Sequence, residues 1–477
     1  MSTAEPVYDV LVIGGGVVGC AIARELTGRR LTVGLVEARG DVGDATSKAN
    51  TAILHTGFDA VPGSVESTLV QRGFTLLGDY AAAVGIPVER TGAVLVAWSQ
   101  EEFAALPKLE AKAVANGYAD CRVIDAAGVY DLVPNLGPGV LGGMTVPGEA
   151  IICPWTTALA YATEAKSRGC DLYLDTYVAS AAVGDEHTVL WTSTGKLRGR
   201  WIVNAAGLGA DEIDRRFGFE RFTVVPRRGE LLVFDKFARS LAPCIVLPVP
   251  TDKGKGVLIS PTIYGNVMLG PTSENLDDRG DTSTTETGFA YLLAKGRALM
   301  PALLEEEVTA SYAGLRASTE HDDYVIEAHG GRRYVLVGGI RSTGLTASLA
   351  IAEHVVGLME GAGLVAAPKE TVPDAPTMPN IGEAFPRPYQ RDDLIDDDRR
   401  YGNIICFCEK VTAGEILDAM SSPIPPCDLD GLRRRTRAGI GRCQGFYCAA
   451  QVESLMVRGA GALISGDPGS RPSEAGR

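Results

Sequence analysis

Residues 8–37 read YDVLVIGGGVVGCAIARELTGRRLTVGLVE, and this stretch decides the fold. Tyr8 to Ile13 is a short run rich in β-branched residues and predicts a buried strand. Three glycines follow, Gly14, Gly15 and Gly16, after which Val17 to Arg29 alternates apolar and polar positions with a helical period. Leu31 to Glu37 then returns to strand character. The order of strand, glycine turn, helix and strand is a βαβ unit. Inside it Gly14, Gly16 and Gly19 take the spacing G-x-G-x-x-G. The first permits a tight turn, the second lets backbone N–H groups approach a pyrophosphate at the helix N-terminus, and the third lets helix and strand pack closely. Glu37 is placed to accept hydrogen bonds from a ribose hydroxyl. Glycines alone can make a structural turn, but strand, helix and acid together predict a dinucleotide site. The motif does not separate FAD from NAD.

The rest of the composition suits that reading. The chain has 477 residues, 45% apolar and 22% charged, the balance of a soluble globular protein. At about 150 residues per domain, roughly three domains are expected. Its 57 glycines exceed the usual ~7% and favour a nucleotide-cofactor enzyme over a scaffold. With 45 basic and 59 acidic side chains the net charge is −14, which repels nucleic acid and excludes it as an expected partner. No apolar run reaches the ~18 to 20 residues of a membrane-spanning helix, and the chain enters strand-like sequence at once, without a signal peptide. The expected location is the cytoplasm, with peripheral association at the cytoplasmic face of the membrane as its alternative. Six of the ten cysteines (Cys20, Cys121, Cys153, Cys170, Cys244 and Cys427) stand singly in mostly apolar surroundings and read as small hydrophobes.

Beyond the βαβ start, strands and helices mix without a repeat up to about Gly361, which predicts an α/β domain with an inserted antiparallel part. Residues 362–402 carry six prolines and the acidic run Asp392 to Asp398, and read as a linker or a strap over the surface. Asn403 to about Ser465 is a compact segment holding the other four cysteines, and 466–477 reads as a disordered tail.

Four further segments bear on the cofactor. Trp201 to Asp211 (WIVNAAGLGAD) resembles the late strand that closes the FAD pocket in flavoproteins of the D-amino-acid oxidase type, with Ala206 and Gly207 allowing close approach. Asp44 to Asp59 (DATSKANTAILHTGFD) resembles the segment along the isoalloxazine ring in FAD-dependent glycerol-3-phosphate and L-2-hydroxyglutarate dehydrogenases. The resemblance makes Thr46, Ser47, Lys48 and Asn50 flavin contacts. Gly338 to Glu353 (GGIRSTGLTASLAIAE) resembles their last FAD-contacting segment, which implicates Gly339, Gly344, Leu345 and Thr346. A positive helix end there would stabilise the anionic reduced flavin. Tyr312 to Thr319 (YAGLRAST) resembles the strand carrying a substrate-anion arginine, here Arg316, in amine and hydroxy-acid oxidases of this superfamily. Arg341 or Lys48 could add the second cation a phosphate dianion wants. Any of these arginines could instead be a surface cation or a pyrophosphate ligand.

Oxidising an alcohol requires hydride transfer to flavin N5 and loss of the hydroxyl proton, so a base near neutrality is useful. Of the five histidines only His55 lies in a flavin-lining segment, which makes it the candidate base; a structural histidine is the plain alternative.

Cys406-x-Cys408 and Cys443-x-x-x-x-Cys448 place four thiolates on two loops flanking an expected helix, Ala413 to Met420, in about sixty residues, near the lower limit for folding without a staple. The cramped C-x-C pair departs from zinc spacings and points to two metal centres sharing sulfide, with zinc and unligated thiols as alternatives. The order resembles the [2Fe–2S] domain related to bacterioferritin-associated ferredoxin. The run CFCEKVTAGEI through DLDGLRRRTRAGIGRCQGFYC resembles the C-terminal domain of anaerobic glycerol-3-phosphate dehydrogenase large subunits. Arg433, Arg434, Arg435, Arg437 and Arg442 either offset the cluster's charge or form a solvated basic face.

The resemblance implies an α/β protein. A glutathione-reductase-type FAD-binding domain (about 8–90, 150–220 and 310–361) is interleaved with an α+β substrate domain (about 91–149 and 221–309). A linker and a small C-terminal iron–sulfur domain (403–465) follow. It implies a dehydrogenase of a small anionic hydroxy metabolite, foremost sn-glycerol 3-phosphate, passing electrons through the cluster to a quinone or redox-partner protein, alone or in a homo- or hetero-oligomer. Other 2-hydroxy acids such as L-2-hydroxyglutarate, and amine or imino-acid donors, share these motifs. A non-catalytic electron carrier is the alternative from another class.

Overall fold

The computed structural model describes residues 6–250 and 256–465, so the expected tail at 466–477 lies outside the described residues. The chain divides into two compact units, one ending at Ala384 and the other starting at Phe385.

The first sheet of the larger unit is organised around the strand Val7–Ile13, paired parallel with both Val33–Val36 and Gly195–Asn204. Tyr334–Gly338 extends it in parallel beyond Gly195–Asn204, and Asp171–Tyr173 beyond Val33–Val36. The central strands are covered on both faces, which is why they read as continuous apolar runs without alternation. Helix Val17–Thr27 packs on helices Pro154–Ser167 and Gly344–Gly361. A buried polar knot ties this layer together: Glu164, fully buried, accepts from Arg24 Nε at 2.7 Å and from the Tyr80 hydroxyl at 2.6 Å, and pairs with Arg168.

The second sheet gathers Ala93–Ala97, Arg122–Asp125 and Gly142–Val146 with the strands between Val225 and Asn275. The strand Val308–Ser318 also belongs to it, pairing antiparallel along Val225–Phe234. The cofactor domain was expected to resume at 310; backbone pairing with Val225–Phe234 instead keeps this strand in the second sheet. Its far end does reach the first layer, because Ala317 packs in the core formed by Tyr8, Leu11 and Ile202. Gly314 makes that passage close: a Cβ there would overlap the Ala49 carbonyl.

The proline-rich stretch is divided between the units. Its first part lies on the larger unit, where Arg30 N–H donates to the Ala367 carbonyl at 2.8 Å and Met378 N–H to the Val84 carbonyl at 2.7 Å. Its second part belongs to the smaller unit, where Arg387, 1% exposed, pairs with Glu415 at 3.0 Å. There Ile404–Cys406 pairs antiparallel with Val411–Thr412, and helices Ala413–Ser421, Leu429–Thr436 and Ala449–Ser465 follow. Thr412 and Glu415 form a reciprocal capping box that starts the first of these helices. Ile405, Val411, Ile416, Leu432 and Val452 make its core.

Helix Val65–Val84 crosses Gly344–Gly361 through Gly73, where a Cβ would meet the Thr346 carbonyl and the Ala347 Cα. Gly73→Ala is therefore expected to cost about 1–3 kcal/mol by overpacking. Urea unfolding of the holoenzyme checks this as a lowered midpoint at unchanged slope.

Candidate functional site

The end of the first strand and the start of the first helix form a cradle only glycine allows. Gly14 has φ +108°, and a Cβ on it would overlap the Ala205 carbonyl; a Cβ on Gly19 would overlap the Gly14 carbonyl. The helix starts at Gly16 without a side-chain cap of its own, and Ser47 Oγ accepts the Val17 N–H at 2.9 Å. Beside this turn lies a cavity of ≈ 350 Å³. Glu37 lines it, accepting the Gly15 N–H at 2.6 Å and the Arg39 N–H at 2.8 Å. Burial raises the Glu37 carboxyl above its ordinary range, against those two N–H donors, which lower it.

Most of the residues singled out in the sequence converge on this one cavity. Gly14, Gly16, Glu37, Thr46, Ser47, Asn50, His55, Ala206, Gly207, Gly339, Arg341, Gly344 and Leu345 all line it. Four do not. Gly19 packs behind the turn, and Thr346 is fully buried, accepting the His55 backbone N–H at 3.0 Å. Lys48 turns to Asp44 at 2.8 Å, one helical turn earlier. Arg316 lies on the strand next to Ala317, which does line the cavity.

The segment from Thr46 to His55 is folded by its own polar groups. Thr46 Oγ1 donates to the Leu315 carbonyl at 2.9 Å, and the Asn50 amide bridges the Ser47 carbonyl at 2.8 Å and the Ala52 N–H at 2.7 Å. Asn50 thereby holds Ala52 in the left-handed region, at φ 56°. Arg341 donates to the Asp322 carbonyl from the cavity's edge.

Two of the candidate side chains stand out by their surroundings. His55 presents a partly exposed ring to the cavity while its Nδ1 sits 3.0 Å from Glu149. Arg316 is half-buried, and its guanidinium makes no hydrogen bond or ion pair with any described residue; burial, reinforced by Arg227 across the strands, lowers its pKa. Sequence reading missed Glu149, which sits 94 positions from His55 and carries no local motif. It also missed Arg39, Arg216 and Arg279, which line the cavity as well.

In the smaller unit the four expected ligands come together from two loops. Cys408 is in side-chain hydrogen-bond reach of Cys443, and Cys448 of Cys406, so each pair takes one thiol from each loop. Gly439 N–H donates to Cys406 Sγ at 3.4 Å. The Tyr447 N–H, against burial and helped by the Cys408 thiol and the Gly445 and Phe446 N–H groups, holds Cys443 below the ordinary thiol range. Burial pushes Cys448 up to about 12. Two thiol pairs with backbone N–H donors beside them suit two irons sharing sulfide. Of the neighbouring arginines, Arg434, Arg435 and Arg437 are buried and held internally by Asp430, the Ile424 carbonyl and Glu409, rather than forming a solvated face; Arg442 is exposed.

The model of the family described as "FAD dependent oxidoreductase" matches residues 9–358. The chain belongs to the FAD dependent oxidoreductase family. A second model, of the BFD-like [2Fe-2S] binding domain, matches residues 404–458. FAD and a [2Fe–2S] cluster are thus the cofactors of this flavoenzyme, and the carrier reading falls away. The chain is 33% identical over 456 residues to a glycerol 3-phosphate dehydrogenase of Caloramator mitchellensis, covering 95% of each chain. It is 30% identical to a glycerol 3-phosphate oxidase of Mycoplasma pneumoniae over 361 residues, 74% of this chain and 94% of that one. The solved structure of dithionite-reduced L-alpha-glycerophosphate oxidase from Mycoplasma pneumoniae with FAD bound superposes with TM-score 0.73 at 28% identity. That match covers 78% of this chain and 98% of the other.

The glycine cradle and the ≈ 350 Å³ cavity, which Glu37 lines, fit the dinucleotide portion of FAD. Removing a charged hydrogen-bonding partner costs about 1.5–3 kcal/mol. Glu37→Ala is therefore expected to weaken FAD binding by about 10–100-fold in a fluorescence titration of the apoenzyme. Cys443→Ser is expected to abolish the cluster's visible absorbance and iron content while leaving FAD stoichiometry unchanged.

Proposed function

We propose that this flavoenzyme oxidises sn-glycerol 3-phosphate to dihydroxyacetone phosphate. The observation that carries the reading is Arg316, a half-buried guanidinium without an acidic partner among the described residues. A cation withdrawn from water is costly unless compensated, so a guanidinium without an anion among the described residues suits an anionic ligand. The glycerol 3-phosphate dehydrogenase and oxidase named above supply the substrate class, and a phosphate monoester supplies the anion. Arg341, at the cavity's edge, offers a second cation for the dianion.

His55, the one histidine lining the cavity, takes the hydroxyl proton as the carbonyl forms. The bound FAD supplies a two-electron acceptor for the hydride of the same carbon. Thr46, Ser47 and Asn50 hold the segment that carries His55, and Gly344 and Leu345 face the same cavity from the N-terminus of their helix.

The exit route for electrons is part of the same proposal. A [2Fe–2S] cluster takes one electron at a time, so the Cys406, Cys408, Cys443 and Cys448 site is read as the relay from the flavin to a quinone or a protein acceptor. No helix among the described residues is long and apolar enough to cross a membrane.

Anaerobic flavin bleaching tests the donor. The expected result is rapid bleaching by sn-glycerol 3-phosphate and none at equal concentration by L-2-hydroxyglutarate, proline or glycerol. In Arg316→Ala, loss of a charge-assisted pair of about 1.5–3 kcal/mol should raise the half-saturating concentration about 10–100-fold with FAD retained. Bleaching by the hydroxy acid or the amine instead, or unchanged kinetics in Arg316→Ala, would overturn the assignment.

A further inference from the structure

We infer that Glu149 is a positioning residue for the oxidation: it fixes the tautomer and orientation of His55 so that Nε2 is the nitrogen that takes the substrate's hydroxyl proton. The inference rests on the reading of His55 as the proton acceptor in a flavin-dependent alcohol oxidation.

The geometry comes from backbone register. Ile53–Leu54 pairs antiparallel with Ala150–Ile152, with Leu54 opposite Ala150, so the next position on each strand sets His55 beside Glu149. Glu149 is fully buried, and its two oxygens have different work. Oε1 accepts the Thr56 N–H at 2.7 Å and the Thr56 hydroxyl at 2.9 Å, which pins the carboxyl group in one orientation. Oε2 is left at 3.0 Å from His55 Nδ1. On the other side the His55 backbone N–H is held by Thr346 Oγ1 at 3.0 Å.

A neutral imidazole carries its proton on one nitrogen only. An acceptor fixed at Nδ1 selects the Nδ1–H tautomer and leaves the Nε2 lone pair for the substrate. In the step itself the carbinol C–H leaves as hydride to the bound flavin, the O–H proton goes to Nε2, and the C–O bond becomes C=O. His55 is then an imidazolium with a buried carboxylate at its back, so the charge formed in the reaction is met by one already in place. A carboxylate serving only the Thr56 turn would need neither the Nδ1 contact nor an imidazole open to the cavity.

The test uses holoenzyme variants followed by anaerobic single-turnover flavin bleaching with sn-glycerol 3-phosphate. Glu149→Gln keeps the shape and removes the charge; it should slow the limiting rate about 10–100-fold while changing the half-saturating concentration less than about threefold. In a His55→Ala background the same change should have no further effect, because a residue acting through His55 cannot act without it. A Glu149→Gln enzyme as fast as wild type, or one that slows His55→Ala further, overturns the inference. Should Glu149→Gln not fold, ¹⁵N histidine spectra of the wild-type holoenzyme decide. With His55 assigned by the His55→Ala protein, Nδ1–H supports the inference and Nε2–H overturns it. If wild type is not bleached by sn-glycerol 3-phosphate at all, the substrate reading has failed, while the histidine spectra still report on Glu149.

Discussion

The turn at Gly14 holds backbone segments closer than any side chain permits. The Gly14 carbonyl lies where a Cβ on Gly19 would stand, and the Ala205 carbonyl where a Cβ on Gly14 would stand. Parallel pairing forces this meeting, because Val7–Ile13 runs between two partners whose C-terminal ends open toward the same side. The rest of the larger unit is arranged around that mouth. Helix Gly344–Gly361 brings its N-terminus to the cavity, the Thr46–Lys48 turn supplies Ser47 to the first helix, and Gly314 lets the second sheet touch the same loop. The open C-terminal edge of such a sheet is where dinucleotides bind.

Charge follows a consistent pattern around it. Glu164 deep in the helix layer is matched by Arg24 and Arg168, Arg228 by Glu274 and Asp281, and Arg437 in the smaller unit by Glu409. In each of these the buried charge meets its opposite within the same unit. Arg316 differs, having no such anion among the described residues, and a charge left so beside a cavity marks a candidate ligand site.

Short-range features were legible in the sequence and long-range ones were not. The βαβ start lies in thirty consecutive residues, and its strands and helix, Val7–Ile13, Val17–Thr27 and Val33–Val36, follow the apolar pattern within a few positions. The helix after the first cysteine pair, Ala413–Ser421, is likewise marked by its T-x-x-E cap. The Lys48–Asp44 pair is also legible, since the two stand at i and i+4. Glu149 had no such signal: what makes it matter is a two-residue strand pairing across about a fifth of the chain, which no local window contains. The strand Val308–Ser318 was misplaced for the same reason, since sheet membership is decided by a partner some eighty residues earlier in the chain.

The central claim is that a mobile phosphate monoester supplies the anion that Arg316 lacks among the described residues, beside a cavity that fits FAD. A crystal of the oxidised holoenzyme soaked with an unreactive, redox-inert analogue of sn-glycerol 3-phosphate tests it most directly. The account predicts phosphate density in salt-bridge reach of the Arg316 guanidinium, with the analogue's carbinol position turned toward His55 Nε2. Phosphate bound elsewhere, with Arg316 paired to a carboxylate of the protein, would contradict it.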